Sequence, residues 1–330
     1  MSATASALDV IAATSPVTRR VRAYFAPVGR TAGLPTIFDA SQSGRFLLEA
    51  PPAPWVDLGF CSNFDRKVGS TVTALRTGAP AMAQSQSRTE VDATVSLEFQ
   101  IWGKLQLALA SGSQQMNLLV ASAGAQANGS GGTAALAVPF ATSSGSTATS
   151  LDIGAAAAAG FSVGDLVAVD VDYNGQNGFV GSWVSAAWVR AVADVSGDVN
   201  YVRRVTLNVG RVASIAGGIL QLANPLPAGN PVSGMQVSRA VGFVDREGGS
   251  FFQEWSGLFC LDGEQGDRIL YHYPRLQAMQ SSSEASVALV PGLERLRLSA
   301  AFRALPTKDL NDGETVLCYR SYFPAPMRSV

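Results

Sequence analysis

The chain has 330 residues, 47% of them apolar and only 15% charged, with 24 Lys plus Arg against 25 Asp plus Glu. A formal net charge of -1 excludes a binder that grips nucleic-acid phosphates through a basic excess, and the low charged fraction excludes a solvated, disordered chain. The length allows two domains, or one domain with a large insertion, and a near-neutral surface does little to prevent self-association.

Residues 1–20 are small and polar and are expected as an N-terminal arm. Their apolar run contains Asp9 and precedes Arg19 and Arg20, the wrong order for a secretory signal. No uninterrupted apolar run reaches the roughly 20 residues of a membrane helix. Cys61, Cys260 and Cys318 are odd in number and far apart, which fits buried thiols in a reducing cytoplasm rather than a disulfide framework or metal pairs. Residues 22–28 predict an edge strand stopped by Pro27, and 51–59 predict a proline-stiffened entry into a strand over 56–64. Residues 69–88, with Gly78, Pro80 and a Gln-Ser-Gln-Ser run, predict a long loop of the kind usually tied to function or disorder.

The clearest pattern runs over 88–99. Val91, Ala93, Val95, Leu97 and Phe99 alternate with Glu90, Asp92, Thr94, Ser96 and Glu98. A period of two at this length predicts a strand with one face on a core and one in water. The polar face carries three carboxylates and no base. The period then changes: Trp102, Leu105 and Leu109 recur at helical spacing up to Ser111-Gly112-Ser113, which predicts a short amphipathic helix.

Residues 121–150 are dominated by Ala, Gly, Ser and Thr and read as a linker, and the alanine run 155–159 as a short helical turn. Strands are predicted at 161–170, 185–192 and 202–209, with a hairpin over 215–222 turning on Gly217 and Gly218. Short strands this close together predict a small closed β-barrel, which hides the edges that a small open sheet would expose. Strands resume at 235–244, 268–276, 293–305 and 316–323. In 293–305, Leu296, Leu298, Ala300 and Phe302 alternate with Arg295, Arg297, Ser299 and Arg303, a strand with a basic outer face. The fold class is therefore mainly β.

Nothing in the chain has the pattern of an active site. The one histidine, His272, lies between Tyr271 and Tyr273 in a predicted strand, with no nucleophile elbow elsewhere to serve. One histidine and three scattered cysteines supply no zinc-ligand pairs. Asp170-Val-Asp-Tyr-Asn-Gly lacks the glutamate of a calcium loop. Asp92 and Glu98 are six residues apart on one strand, roughly 20 Å, too far for a catalytic carboxylate pair. No enzyme activity, cofactor or metal is expected. Tyr173, Trp183 and Trp188 leave open an alternative, a carbohydrate-binding β protein with an aromatic platform in the inserted barrel.

The order of several stretches resembles the major tail tube proteins of long-tailed bacteriophages and prophages. They are Trp55-Val-Asp-Leu-Gly, Asn63-Phe-Asp-Arg-Lys, Leu75-Arg-Thr-Gly, the strand over 88–99, Trp102-Gly-Lys-Leu, Tyr271-His-Tyr-Pro-Arg-Leu and Tyr319-Arg-Ser-Tyr-Phe-Pro. The resemblance covers roughly residues 20–119 and 236–325. It implies a β-sandwich or barrel with one short flanking helix over 21–149 and 236–330, and it makes 150–235 an inserted outer β-barrel. It also implies hexameric rings that stack into a tube through which DNA passes without specific binding. The implied partners are further copies of the chain and other tail proteins, with no membrane. The implied location is the host cytoplasm during assembly and then the virion tail. Carried onto this sequence, Asp92, Thr94, Ser96 and Glu98 are the expected lumen-facing residues, a wall that repels phosphate. The 69–88 loop becomes the ring-to-ring contact through Arg76, Met82, Gln84 and Arg88, ordering on assembly. The arginines of 293–305 should then face elsewhere, toward a neighbour's carboxylates. A different β-type virion protein, a decoration or tail-terminator protein, is the other alternative.

Overall fold

The structure, a computed structural model, describes residues 18–28, 34–126, 135–141, 145–172, 188–189, 199–248, 253–264, 266–279 and 283–325. Most of the expected N-terminal arm lies outside these residues, as do Tyr173 and Trp183, and the side chain of Trp188 is not among those described. In chain order the elements are β1 (Thr18–Pro27), α1 (Ala40–Ser43), β2 (Val56–Thr77), β3 (Met82–Phe99), α2 (Lys104–Ser111), β4 (Gln114–Leu119), β5 (Val138–Pro139), β6 (Ser150–Asp152), α3 (Ala155–Ala158), β7 (Leu166–Asp170), β8 (Trp188–Val189), α4 (Tyr201–Val205), β9 (Val209–Ala216), β10 (Ile219–Leu222), β11 (Gln236–Arg246), β12 (Gln253–Gly263), β13 (Arg268–Ala278), β14 (Ser283–Val290), β15 (Leu293–Ala304), β16 (Thr307–Lys308), β17 (Thr315–Val316) and β18 (Tyr319–Phe323). The protein is mainly β, and its strand pairings are antiparallel.

Six strands form the first barrel, in the order β15–β3–β2–β1–β12–β13, and β13 closes on β15 through Leu276 opposite Ala304 and Ala278 opposite Phe302. Alternation explains its interior. Val21, Ala23 and Phe25 of β1, Ala93, Val95, Leu97 and Phe99 of β3, and Leu298, Ala300, Phe302 and Ala304 of β15 join one buried cluster. Each set is spaced by two residues, so each falls on one side of its strand. Leu105 and Leu109 of α2 belong to the same cluster, and Gly112 ends that helix in a left-handed conformation, φ 65°, which glycine adopts at little cost. Trp102 is not on the helix. It is exposed and packs at 5.5 Å against Phe243.

β1 is an interior strand, not the expected edge. It pairs with β2 on one side and β12 on the other. Its second face, Tyr24 and Ala26, is also buried, with Phe38, Trp55, Leu258, Cys260 and Leu270. Burial on both faces is why Ala23-Tyr-Phe-Ala reads as a continuous apolar run rather than an alternating one. Pro27 does end the strand, in the last pairing position opposite Trp255.

His272 is buried beside this second cluster. Its Nε2–H donates to the Thr36 carbonyl at 3.2 Å, and the ring lies among Trp55, Phe38 and a stacked Tyr319. Burial pushes its pKa down to about 4. The unfolded chain takes up this proton below about pH 6.5, whereas the native chain resists it, so stability is lost as pH falls from 6.5 toward 4. His272→Gln removes that titration. The gap in melting temperature between pH 6.5 and pH 5 is expected to shrink in the variant, and an unchanged gap would show that another group sets the acid limit.

The second sheet also closes. β5, β11, β7, β9, β10 and β6 pair in turn, and the Ala141 N–H donates to the Asp152 carbonyl at 2.9 Å, joining the β5 side to the β6 side. Leu151, Val167, Val169, Val212, Leu220 and Val237 fill this small barrel. Its strands come from beyond 150–235: β5 precedes that range and β11 follows it. β4 pairs with the far half of β11, from Ala240 to Arg246. β11 thus belongs to the second barrel at one end, and at the other its Val244 packs against the first barrel's core. The β9–β10 turn has Gly217 at φ 59° and Gly218 at φ 91°, the two positive values that a two-residue hairpin turn of this hand requires. A Cβ on Gly218 would sit 2.5 Å from the Ala155 nitrogen.

Residues 202–209 are not one strand. Tyr201–Val205 form α4, and β9 starts at Val209. Val202 and Val205 pack into the first barrel's core, and the backbone carbonyls at the helix end are capped by side chains of β4. Asn117 Nδ2 donates to Arg203 O and Thr206 O, and Gln115 Nε2 donates to Val205 O. The valines favour a strand by propensity, but burial and these caps stabilise a helix.

Candidate assembly surface

Two hairpins extend beyond the first barrel. β2 and β3 pair along almost their whole length, from Cys61 opposite Phe99 to Thr77 opposite Met82. β1 covers β2 only as far as Cys61, and β15 covers β3 only from Thr94. The remainder is a two-stranded ribbon, exposed at nearly every residue from 67 to 91. The expected loop at 69–88 is therefore ordered strand and turn. It lacks apolar alternation because neither face packs on a core, so no period was imposed on its sequence. Bulges at Thr71/Val72 and Leu75/Arg76 interrupt the pairing and add local twist.

β14 and β15 form the second ribbon, with β14 on the outer edge. β15 meets β3 with Leu298 opposite Phe99 and then continues back to Leu293 where β3 has ended. The two ribbons therefore leave the sheet in opposite directions along the strands. They carry exposed Val68, Val72, Leu75 and Met82 on one, and Leu289, Val290, Leu293 and Leu296 on the other. Long exposed edges with apolar side chains are templates for pairing with another chain.

Asp92, Thr94, Ser96 and Glu98 share one face of β3, as the alternation requires, but they are not an acidic stripe open to water. β15 lies directly beside them and turns Arg297 and Arg303 to the same face. Arg297 Nε donates to Glu98 at 2.8 Å, Arg295 stands 3.8 Å from it, and Asn63 Nδ2 donates to it at 3.0 Å. Glu98 is only 4% exposed. The hydrogen-bonded Arg297 guanidinium holds its carboxyl below the usual carboxylate range, outweighing the opposing effect of burial. Arg303 Nε lies 3.3 Å from Asp92. The arginines expected to face a neighbour's carboxylates are thus paired within the same chain. What the sequence did not show is that 293–305 is the immediate neighbour of 88–99, because antiparallel partners 199 residues apart leave no local signal.

Asn63 holds a left-handed backbone, φ 53°, at the bulge between Ser62 and Asp65 where β2 leaves β1. Its side chain reaches Glu98 from that position, so the bend that launches the ribbon and the ion-pair cluster share one residue. Asparagine tolerates this region better than other non-glycine residues. Arg76, Met82, Gln84 and Arg88 all lie on the distal part of the same ribbon, exposed. Among the described residues, no three His, Cys, Asp or Glu side chains are grouped to hold a metal ion, and no helix is long and apolar enough to cross a membrane. No family model and no curated protein matches the chain.

Proposed function

We propose that this chain is a structural subunit, not an enzyme, that assembles with copies of itself into rings stacked as the tail tube of a long-tailed phage or prophage. The observation that carries the reading is the pair of exposed ribbons leaving one sheet in opposite directions. Different surfaces on two sides favour head-to-tail contacts, which close into rings or extend as open stacks. A monomer that kept these edges permanently in water would be prone to aggregate. In this reading the rings are hexameric and the β3–β15 polar face turns to the lumen. Its carboxylates are matched by Arg295, Arg297 and Arg303, so the wall is close to neutral and DNA passes by lack of attraction rather than by strong repulsion. The second barrel then sits outside the tube.

Negative-stain electron microscopy over a range of protein concentrations tests the reading. Rings or tubes with a central hole, about 100 Å across for six two-layer domains, are the expected result. A strictly monomeric particle at the highest concentration would sink it.

A further inference from the structure

A groove of about 580 Å³ opens at the seam between the two barrels, within the roughly 300–1,000 Å³ of sites that hold small molecules. It is lined by Pro51, Pro54 and Trp55 from the segment that enters β2, by Leu105 of α2, and by Leu207 and Pro227. Leu226, next to Pro227, belongs to the second barrel's core, so the groove touches both barrels. Three polar residues interrupt the apolar lining: Glu49, Asp57 and Gln106.

Asp57 is fully engaged. Its two oxygens accept from Arg22 at 3.0 and 2.5 Å, and the Gly59 N–H donates to it at 2.8 Å. Glu49 accepts from the same guanidinium at 2.8 Å. Two carboxylates against one arginine leave one negative charge in excess. The Glu49 side chain is 74% exposed, which puts that charge at the mouth, and no lysine or arginine lines the groove. Gln106 is the inner polar group, only 9% exposed. Its Nε2 donates to the Leu58 carbonyl at 3.4 Å, but no described protein group donates to its Oε1. A buried amide oxygen without a donor carries a desolvation cost that a bound donor recovers. Both ends of the groove therefore call for a hydrogen-bond donor, neutral at the inner end and charged at the mouth, with an apolar body between.

We propose that the groove binds a small amphipathic cation. Its apolar body sits against the prolines and Trp55, a hydroxyl or amide N–H donates to Gln106 Oε1, and an ammonium faces Glu49. The apolar lining supplies most of the affinity, and the two polar ends select the ligand and its orientation. An anion would meet the excess negative charge at the mouth, and a plain hydrocarbon would leave the Gln106 oxygen unpaired. The site is complete within one chain, so it stands or falls separately from the assembly reading.

Tyramine is a suitable probe, because it carries a phenol hydroxyl and an ammonium at opposite ends of one ring. Saturation-transfer NMR titrations on the full-length protein compare it with phenethylamine, which lacks the hydroxyl, and with 4-ethylphenol, which lacks the ammonium. Each omission should weaken binding roughly fivefold, the size of one hydrogen bond or one exposed charge pair. Glu49→Gln should lower tyramine binding to the level of 4-ethylphenol and leave 4-ethylphenol unchanged. Ala53→Trp, at an exposed position on the groove, fills the mouth and should abolish binding of all three. Tyramine binding no tighter than that of both analogues, or binding that survives Ala53→Trp, would overturn the site. So would the lack of any saturation transfer at about 10 mM, roughly tenfold above the millimolar Kd that suits a ligand of this size.

Discussion

Phe259→Ala is expected to lower the free energy of unfolding by about 3–5 kcal/mol, a large share of the roughly 5–15 kcal/mol that holds a domain together. Phe259 is fully buried. Its ring lies 5.9 Å from Phe25, 5.1 Å from Phe64 and 6.0 Å from Tyr273, so it joins three different strands across the interior. Those strands are fixed in a ring by backbone pairing. Walls held that way cannot move inward to fill a vacated space, which puts the cost at the upper end for an aromatic deletion. Unfolding in guanidinium, followed by tryptophan fluorescence, should show a lower midpoint with an unchanged slope. Phe259→Leu keeps most of the volume and should lose less than half as much. A loss below about 1 kcal/mol for the alanine variant would mean that the interior relaxes, and that the first barrel is not the rigid unit from which the ribbons are launched.

How legible each element was depended on whether one of its faces is buried. Residues 91–99 alternate because β3 packs one face on the core and leaves the other outside, and 296–302 alternate for the same reason on β15. The outer halves of these hairpins carry the same backbone with neither face packed, and there the pattern vanishes, so 69–88 read as a loop. β1 was legible as a strand, but its place between β2 and β12 was not, since Pro27 pointed to an edge and burial of both faces follows only from its two pairings. α4 was hidden by Val202 and Val205, whose branched side chains pointed to a strand. Closure of the second sheet was expected from its short, closely spaced strands, but the contacts that close either sheet were out of reach. They are Leu276 meeting Ala304 and one hydrogen bond from Ala141 to Asp152, which no local period encodes. The charge cluster shows both limits together. Each strand's polar face was readable residue by residue, yet the pairing of Glu98 with Arg297 follows only from the register of β3 against β15.

Wild type is expected to gain stability as pH rises from 7 to about 9, and Lys104→Met to abolish that gain. Lys104 opens α2, at the seam between the two barrels. Part of the residue reaches the surface, but its ammonium is enclosed, donating to Asn117 Oδ1 at 2.8 Å and to the Thr206 carbonyl at 2.7 Å. Both partners are neutral, so they satisfy its hydrogens without balancing its charge, and burial pushes its pKa down to about 7. The unfolded lysine holds its proton up to about pH 10.4. Between the two values the unfolded state binds more protons than the native one, and stability rises with pH, by at most about 1.4 kcal/mol per pH unit. Below pH 7 both states are protonated, and the native state carries the full cost of a buried charge. Above about pH 9 the trend is opposed. Burial pushes the Cys61 and Cys260 thiols up to about 12, so there the unfolded chain loses protons that the native chain keeps. The difference between wild type and variant isolates the lysine, because the cysteines are common to both. Methionine also leaves the Asn117 and Thr206 oxygens without this donor, at a cost of about 1–3 kcal/mol, but that cost does not change with pH. Parallel stability curves for the two proteins between pH 7 and 9 would mean that the ammonium is reached by water, and that the seam between the barrels is open.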